Sequence, residues 1–236
     1  MMSEHLSKPF DEELLRLETM VTEMGDLAVH QLETALEAAE KLDSTLAARV
    51  IEREPEADRL EHQIDGLVIR VLALRQPVAV DLRQALAGLR IANELERICD
   101  HAEDLAQRLM ILPASHDQSI HSLIHLGRFA TTMVKDAMDA YEAGDIARAR
   151  EVWNRDTALD RMYTSLFREL LTYMVEDARR ISGCTQMLFM ARDIERVGDR
   201  ATNIAEAVQY LVGGLPFEEE RPKEDRTKSI VLSAPP

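Results

Sequence analysis

Ala92–Ala106, ANELERICDHAEDLA, and Ala191–Ala205, ARDIERVGDRATNIA, are the same helical phrase written twice. Ala92/Ala191, Glu96/Glu195, Arg97/Arg196, Asp100/Asp199, Ala102/Ala201 and Ala106/Ala205 are identical in register, and Glu94/Asp193, Leu95/Ile194, Ile98/Val197 and Leu105/Ile204 keep their chemistry. Apolar residues recurring every three or four positions predict an amphipathic helix in each copy. The Glu and Asp of each E-R-x-x-D core are four residues apart, one turn apart on one helical face. Asp104 and Asn203, four residues further on, extend the same line of oxygen ligands. Like charges at this spacing cost a helix a few tenths of a kcal/mol. A cost repeated at matching places in two halves is explained by a bound cation.

The duplication extends outward from these stretches. Aligning Gly25 with Gly127 holds one gap-free register to Arg59/Arg161 through Ala28/Ala130, Ala35/Ala137, Asp43/Asp145, Val50/Val152, Arg53/Arg155 and Asp58/Asp160. Helices are predicted at about 10–41, 45–74 and 81–112, and again at about 117–143, 146–175 and 180–212. Asp43-Ser44 and Gly144-Asp145 supply the first turn of each half, and Asp43 is a natural N-cap. Pro55 predicts a kink or break beside Glu54, because proline inside a helix costs about 3 kcal/mol. Gly25 and Gly127 predict close helix–helix approach. The fold class is therefore all-α, with two tandem antiparallel three-helix bundle repeats, six long helices and internal pseudo-twofold symmetry. The expected divisions are a flexible N-terminus at 1–9, the first repeat at 10–112, the second at 117–213 and a disordered tail at 214–236. The stretch Pro113–Asp117 is too short for a flexible linker, so the halves should touch. The tail, charged and punctuated by proline, has the composition of a chain that cannot build a core.

Composition agrees with a helical protein: Ala, Leu, Glu and Arg abound, against 9 Gly, 8 Pro and 4% aromatic residues in 236. A formal charge of −15 without an offsetting Lys/Arg run argues against nucleic acid as a partner. No signal peptide and no stretch apolar enough for membrane insertion is legible, so a cytoplasmic location is expected. Cys99 and Cys184 lie in apolar patterns without metal spacing and read as buried, reduced thiols.

The register exposes a second pair of acidic motifs, Glu54/Asp58 and Asp156/Asp160, on the second helix of each half. Adjacent antiparallel helices would face Glu54 and Asp58 with Glu96 and Asp100, and Asp156 and Asp160 with Glu195 and Asp199. Hard oxygen ligands without cysteine suit divalent or ferric ions such as Mg²⁺, Mn²⁺ or iron, and no organic cofactor is implied. His101, about 100° around the helix from Asp100 and matched by Arg200, reads as a surface residue. Acidic residues four apart are also common on solvated faces, and Arg97 and Arg196 could neutralise them as plain salt bridges. None of the seven histidines follows a Glu by three positions, as a di-iron carboxylate oxidase requires. No phosphate-cradling glycine loop or nucleophile elbow is present, so an enzyme is not expected.

On these residues the chain resembles the PhoU family, the phosphate transport and phosphate signalling regulators of bacteria. The likeness runs over about residues 5–213. It includes Phe10–Leu14 (FDEEL), Arg75–Arg83 (RQPVAVDLR), Leu89–Asp100 and Ala191–Val208. The resemblance implies two three-helix bundles, and metal ions on acidic motifs that fall here on Glu96/Asp100 and Glu195/Asp199. The carry-over extends to Glu54/Asp58 and Asp156/Asp160, the first of which Pro55 interrupts. Cys99 stands where the family usually has the Gly seen at Gly198. The implied function is a phosphate-transport accessory protein that represses the phosphate-starvation response. It would link the ATPase subunit of the phosphate ABC transporter to the sensor histidine kinase of the phosphate regulon, as a homodimer. The residues also fit a metal-binding helical protein of metal or phosphate homeostasis, or a purely structural bundle.

Overall fold

The structure, a computed structural model, describes residues 4–112, 117–219, 221, 223–225 and 227. Six long helices run in order: α1 (Glu4–Lys41), α2 (Ser44–Arg75), α3 (Ala79–Met110), α4 (Asp117–Ala143), α5 (Ile146–Glu176) and α6 (Ile181–Gly213). A single 3₁₀ turn, Ala178–Arg180, leads into α6, and no strand occurs among the described residues. The helices of each half pack on one another, and the halves join through α1 against α4 and α3 against α6.

The corners repeat with the sequence. At the first, the Asp43 N–H donates to Ala38 O at 2.9 Å. Asp43 Oδ1 then accepts from the N–H groups of Thr45 (2.8 Å) and Leu46 (3.2 Å). At the second, Asp145 donates to Ala140 O at 2.9 Å and its Oδ1 accepts from Ala147 (2.9 Å) and Arg148 (3.1 Å). Both carboxylates thus satisfy donors that an uncapped helix start leaves orphaned. The residue before each cap is left-handed, Gly144 at φ 61° and Leu42 at φ 51°. Glycine adopts that region freely, whereas a residue with a Cβ is strained there by about 1–2 kcal/mol.

The two halves meet by reciprocal packing. A Cβ placed on Gly127 would lie 2.2 Å from Leu36 Cδ2, and one on Gly25 would lie 2.6 Å from Met138 Cε. Leu36 and Met138 are register partners, so each helix presses a long side chain into the glycine of the other. The pairing 25 with 138 and 36 with 127 makes α1 and α4 antiparallel. On the other side of the core, Arg200 Nη1 donates to Glu94 Oε2 at 3.2 Å and Arg108 Nε to Asp193 Oδ2 at 3.1 Å, which makes α3 and α6 antiparallel. One continuous hydrophobic core joins the repeats, with Leu17, Met24, Leu95, Met133, Leu159 and Val197 fully buried. Each such side chain contributes about 1.5–3 kcal/mol when removed from water.

Two expectations meet differences here, and a third lies beyond what the structure describes. Helix α2 is continuous through Pro55 rather than broken beside Glu54. Pro55 lies on the exposed face of α2, where water can satisfy the carbonyl that its missing N–H leaves free. Helix α1 begins at Glu4, inside the stretch expected to be flexible. Pro113-Ala114-Ser115, the expected end of the first half, lies outside the described residues.

Candidate metal centre

Helices α2 and α3 bring the first acidic set together. Glu96 is 8% exposed, and its Oε2 has no hydrogen-bond partner. Arg97 Nε lies 3.2 Å from that oxygen as an ion pair without hydrogen-bond geometry, while Arg97 Nη1 donates to Asp100 Oδ2 at 2.9 Å. Burial, and then the neighbouring Asp100 charge, push the Glu96 carboxyl up to about 7 against the opposing pull of Arg97. Glu54 is also raised, by burial and by the charges of Asp58, Glu103 and Asp100. Glu54, Asp58, Glu96 and Asp100 therefore share one field. Glu103 joins them, a residue the carboxylate spacing had missed although it lies one turn beyond Asp100.

Helices α5 and α6 assemble the second set. Asp156 and Asp160 are buried, as is Glu195, whose Oε2 is again without a hydrogen-bond partner. Arg192 Nη1 stands 3.6 Å from it. Burial and the Asp199 charge push Glu195 up to about 7, with Arg192 opposing. Here, however, the residues after α6 enter the groove. Arg221 Nε and Nη2 donate to the two oxygens of Asp156, each at 2.9 Å. The same Nη2 donates to Asp199 Oδ1 at 2.6 Å, and Nη1 to Asn203 Oδ1 at 3.4 Å. Lys223 Nζ reaches Asp199 Oδ1 at 3.2 Å, and the Glu224 N–H donates to Asp160 Oδ2 at 2.7 Å. The described part of 214–236 is thus seated on the second repeat rather than disordered. Charge complementarity and Phe217, whose ring packs 5.0 Å from that of Trp153, replace the core this segment lacks.

Two residues on α3 face elsewhere than expected. His101 is buried, not a surface residue, because α3 packs on its own repeat and also on α6. Burial, aided by Arg196, Arg200 and Arg97, pushes its imidazole down to about 4, and neither ring nitrogen has a hydrogen-bond partner. Asp104 does not continue the groove. His101, Asp104 and Asp193 instead offer ligand atoms within 4.8 Å of one another, a group able to hold a metal ion. His101 Nδ1 lies 3.8 Å from Asp193 Oδ1, the register counterpart of the Arg200–Glu94 pair. The pseudo-twofold thus sets a neutral imidazole opposite a guanidinium.

The carboxylate grooves fit a hard cation. Each contains a buried Glu oxygen without a hydrogen-bond donor, but in the second groove Arg221, Lys223 and the Glu224 N–H already occupy Asp156, Asp199 and Asp160. Behind the grooves the two repeats differ by an exchange of side-chain size. A Cβ on Gly198 would lie 2.0 Å from Leu159 Cδ2. In the first repeat the register counterparts of Leu159 and Gly198 are Ala57 and Cys99, both buried. The larger side chain of the pair thus stands on α3 in the first repeat and on α5 in the second.

Comparison with known proteins agrees with this architecture. The PhoU domain model matches residues 21–109 and again 123–208. The chain is 41% identical over 226 residues to a phosphate-specific transport system accessory protein PhoU homolog of Caulobacter vibrioides, covering 95% of this chain and 98% of that one. It is 43% identical over 232 residues to the protein of the same description in Xylella fastidiosa, covering 97% of each. Among solved structures, PhoU from Pseudomonas aeruginosa superposes with a TM-score of 0.85 at 37% identity, covering 87% of this chain and 100% of that one. The phosphate transport system regulatory protein PhoU from Streptococcus pneumoniae superposes with a TM-score of 0.83 at 26% identity, covering 89% and 100%. The chain belongs to the PhoU family.

Proposed function

We propose that this chain is an accessory protein of a phosphate-specific transport system that represses the phosphate-starvation response when phosphate is plentiful. The observation that carries the reading is the match of both repeats, E-R-x-x-D motifs included, to relatives described as phosphate-specific transport system accessory proteins, over nearly their whole length. In this reading the chain is a cytoplasmic adaptor between the transporter's ATPase subunit and the sensor histidine kinase, and it pairs with a second copy. No helix among the described residues is long and apolar enough to cross a membrane, consistent with a partner rather than a component of the channel.

The adaptor acts by binding, not by catalysis. Cys99 and Cys184 are buried and burial raises both thiols, so neither offers a ready thiolate. The cleft between the halves does not attract free phosphate. The cleft between the halves is lined by Glu61, Asp65, Glu94 and Glu206, with Arg90 engaged over the Tyr210 ring. Phosphate status is therefore read by the transporter and relayed through protein contacts. A regulator of this kind shifts its partners only through differential affinity for their states. Mg²⁺, Mn²⁺ or iron in the grooves would stiffen the helix pairs that form the docking faces. Deleting the gene tests the proposal: starvation genes should be derepressed in phosphate-rich medium, only when the kinase is present. Unchanged expression, or derepression without the kinase, would overturn it.

The unpartnered Glu96 and Glu195 oxygens favour a second reading, metal handling as the primary role. Under that reading deletion would alter cellular metal content and leave phosphate-regulated genes unmoved.

A further inference from the structure

The two acidic grooves are equivalent in sequence register but not in their surroundings. In the second, the Arg221 guanidinium is mostly buried, with its side chain 17% exposed against 3% for Asp156. Burial works against the charged guanidinium, but the Asp156 hydrogen bonds and the Asp156 and Asp199 charges outweigh it and raise Arg221. A bidentate guanidinium–carboxylate fork is among the stronger protein hydrogen-bonding arrangements. It satisfies the same carboxylates that a metal would need.

The segment is held by anchors that the first repeat does not possess. Phe217 packs on Trp153 and under the Arg150 guanidinium, 4.8 Å from the ring centroid. Arg150 pairs with Glu219 (2.7 Å), Arg161 with Glu224 (2.6 Å) and Arg192 with Asp225 (3.4 Å). In register, Arg150, Trp153 and Arg192 correspond to Ala48, Ile51 and Asn93, which can make none of these contacts. Only Arg161 has an equivalent, Arg59.

We propose that the groove of the second repeat is a guanidinium site for the chain's own C-terminal segment, filled by Arg221, so that a divalent cation enters it only by displacing that segment. The first groove, without these anchors, takes a cation directly. The competition rests on the metal reading of the grooves. The docking does not. A guanidinium carries one charge where a metal ion carries two or three, so a sufficient metal concentration releases the segment. The protein then has two states, one with Phe217, Arg221 and Glu224 bound and one with them free for another surface.

The chain's one tryptophan, Trp153, reports docking without any metal. The experiment compares Trp153 emission and Mn²⁺ calorimetry for the full chain, Arg221→Ala and Phe217→Ala. Phe217→Ala loosens the segment without changing the charge of the groove, so it separates release from carboxylate repulsion. Both variants should shift Trp153 emission to longer wavelength in metal-free buffer while the helical circular dichroism is kept. Mn²⁺ should bind one class of site in the full chain at low concentration. The second class should gain at least tenfold in affinity in each variant. Identical emission in all three proteins would overturn the docking. Shifted emission with the second-class affinity unchanged would overturn the competition. Absence of Mn²⁺ uptake by every form, with the emission shift present, would overturn the metal reading and support the docking alone.

Discussion

Arg221 holds Asp156 through two parallel hydrogen bonds of 2.9 Å, a residue from beyond the last helix clasping a buried carboxylate on α5. That single relationship makes two duplicated grooves chemically unequal.

On the proposed reading, the first groove is the open cation site. Replacing Glu96 and Asp100 together with Ala should abolish the tighter class of Mn²⁺ sites, read by calorimetry on protein stripped of metal. The helical content should be kept. The metal-free variant should be at least as stable as the parent, because a crowded pair of carboxylates has been removed. An unchanged tight class would show that the cation sits elsewhere.

Metal-free stability should depend on pH with a defined sign. Folding raises Glu96 and Glu195 from an ordinary 4.5 to about 7, chiefly by burial. The folded chain then holds more protons than the unfolded one between about pH 4.5 and 7, so the contribution of these groups to stability is lost as pH rises through that window. Glu96→Gln with Glu195→Gln removes the effect. In denaturant titrations the double variant should exceed the parent at pH 8 and match it near pH 4.5. Saturating Mn²⁺ should stabilise the parent at pH 8 and not the variant.

The exchange of volume behind the grooves predicts coupling. Gly198→Cys alone should overpack against Leu159 and cost about 1–3 kcal/mol. Leu159→Ala alone should leave a cavity and cost about 2–5 kcal/mol. The double variant, which copies the Ala57 and Cys99 pair of the first repeat, should be more stable than the sum of the two by about 0.5–3 kcal/mol. Additive losses in chemical denaturation would mean that Leu159 has other room.

Most of the architecture was legible because it is carried by local signals. Heptad-like apolar spacing, Asp43 and Asp145 at the caps, and the register from Gly25/Gly127 specify where six helices run. They also predict the close approach seen where Leu36 and Met138 meet the glycines. The four carboxylates of the first groove were legible from the same register. What escaped depends on surfaces the sequence brings together only at long range. His101 was placed by its angle from Asp100 and Asp104 by its four-residue spacing, but α3 has a second buried face against α6. The segment after Gly214 is too polar to signal folding by composition. Its stability comes from Arg221, Glu224 and Phe217 meeting partners about 60 residues earlier on α5, and no local pattern announces such pairs.

Anomalous diffraction from crystals equilibrated with Mn²⁺ at low concentration locates the cation. An anomalous peak is expected in the first groove, among Glu54, Asp58, Glu96 and Asp100, while Arg221 remains on Asp156 in the second. No peak in the first groove, a peak confined to His101, Asp104 and Asp193, or a metal beside Asp156 with Arg221 still in place would contradict it.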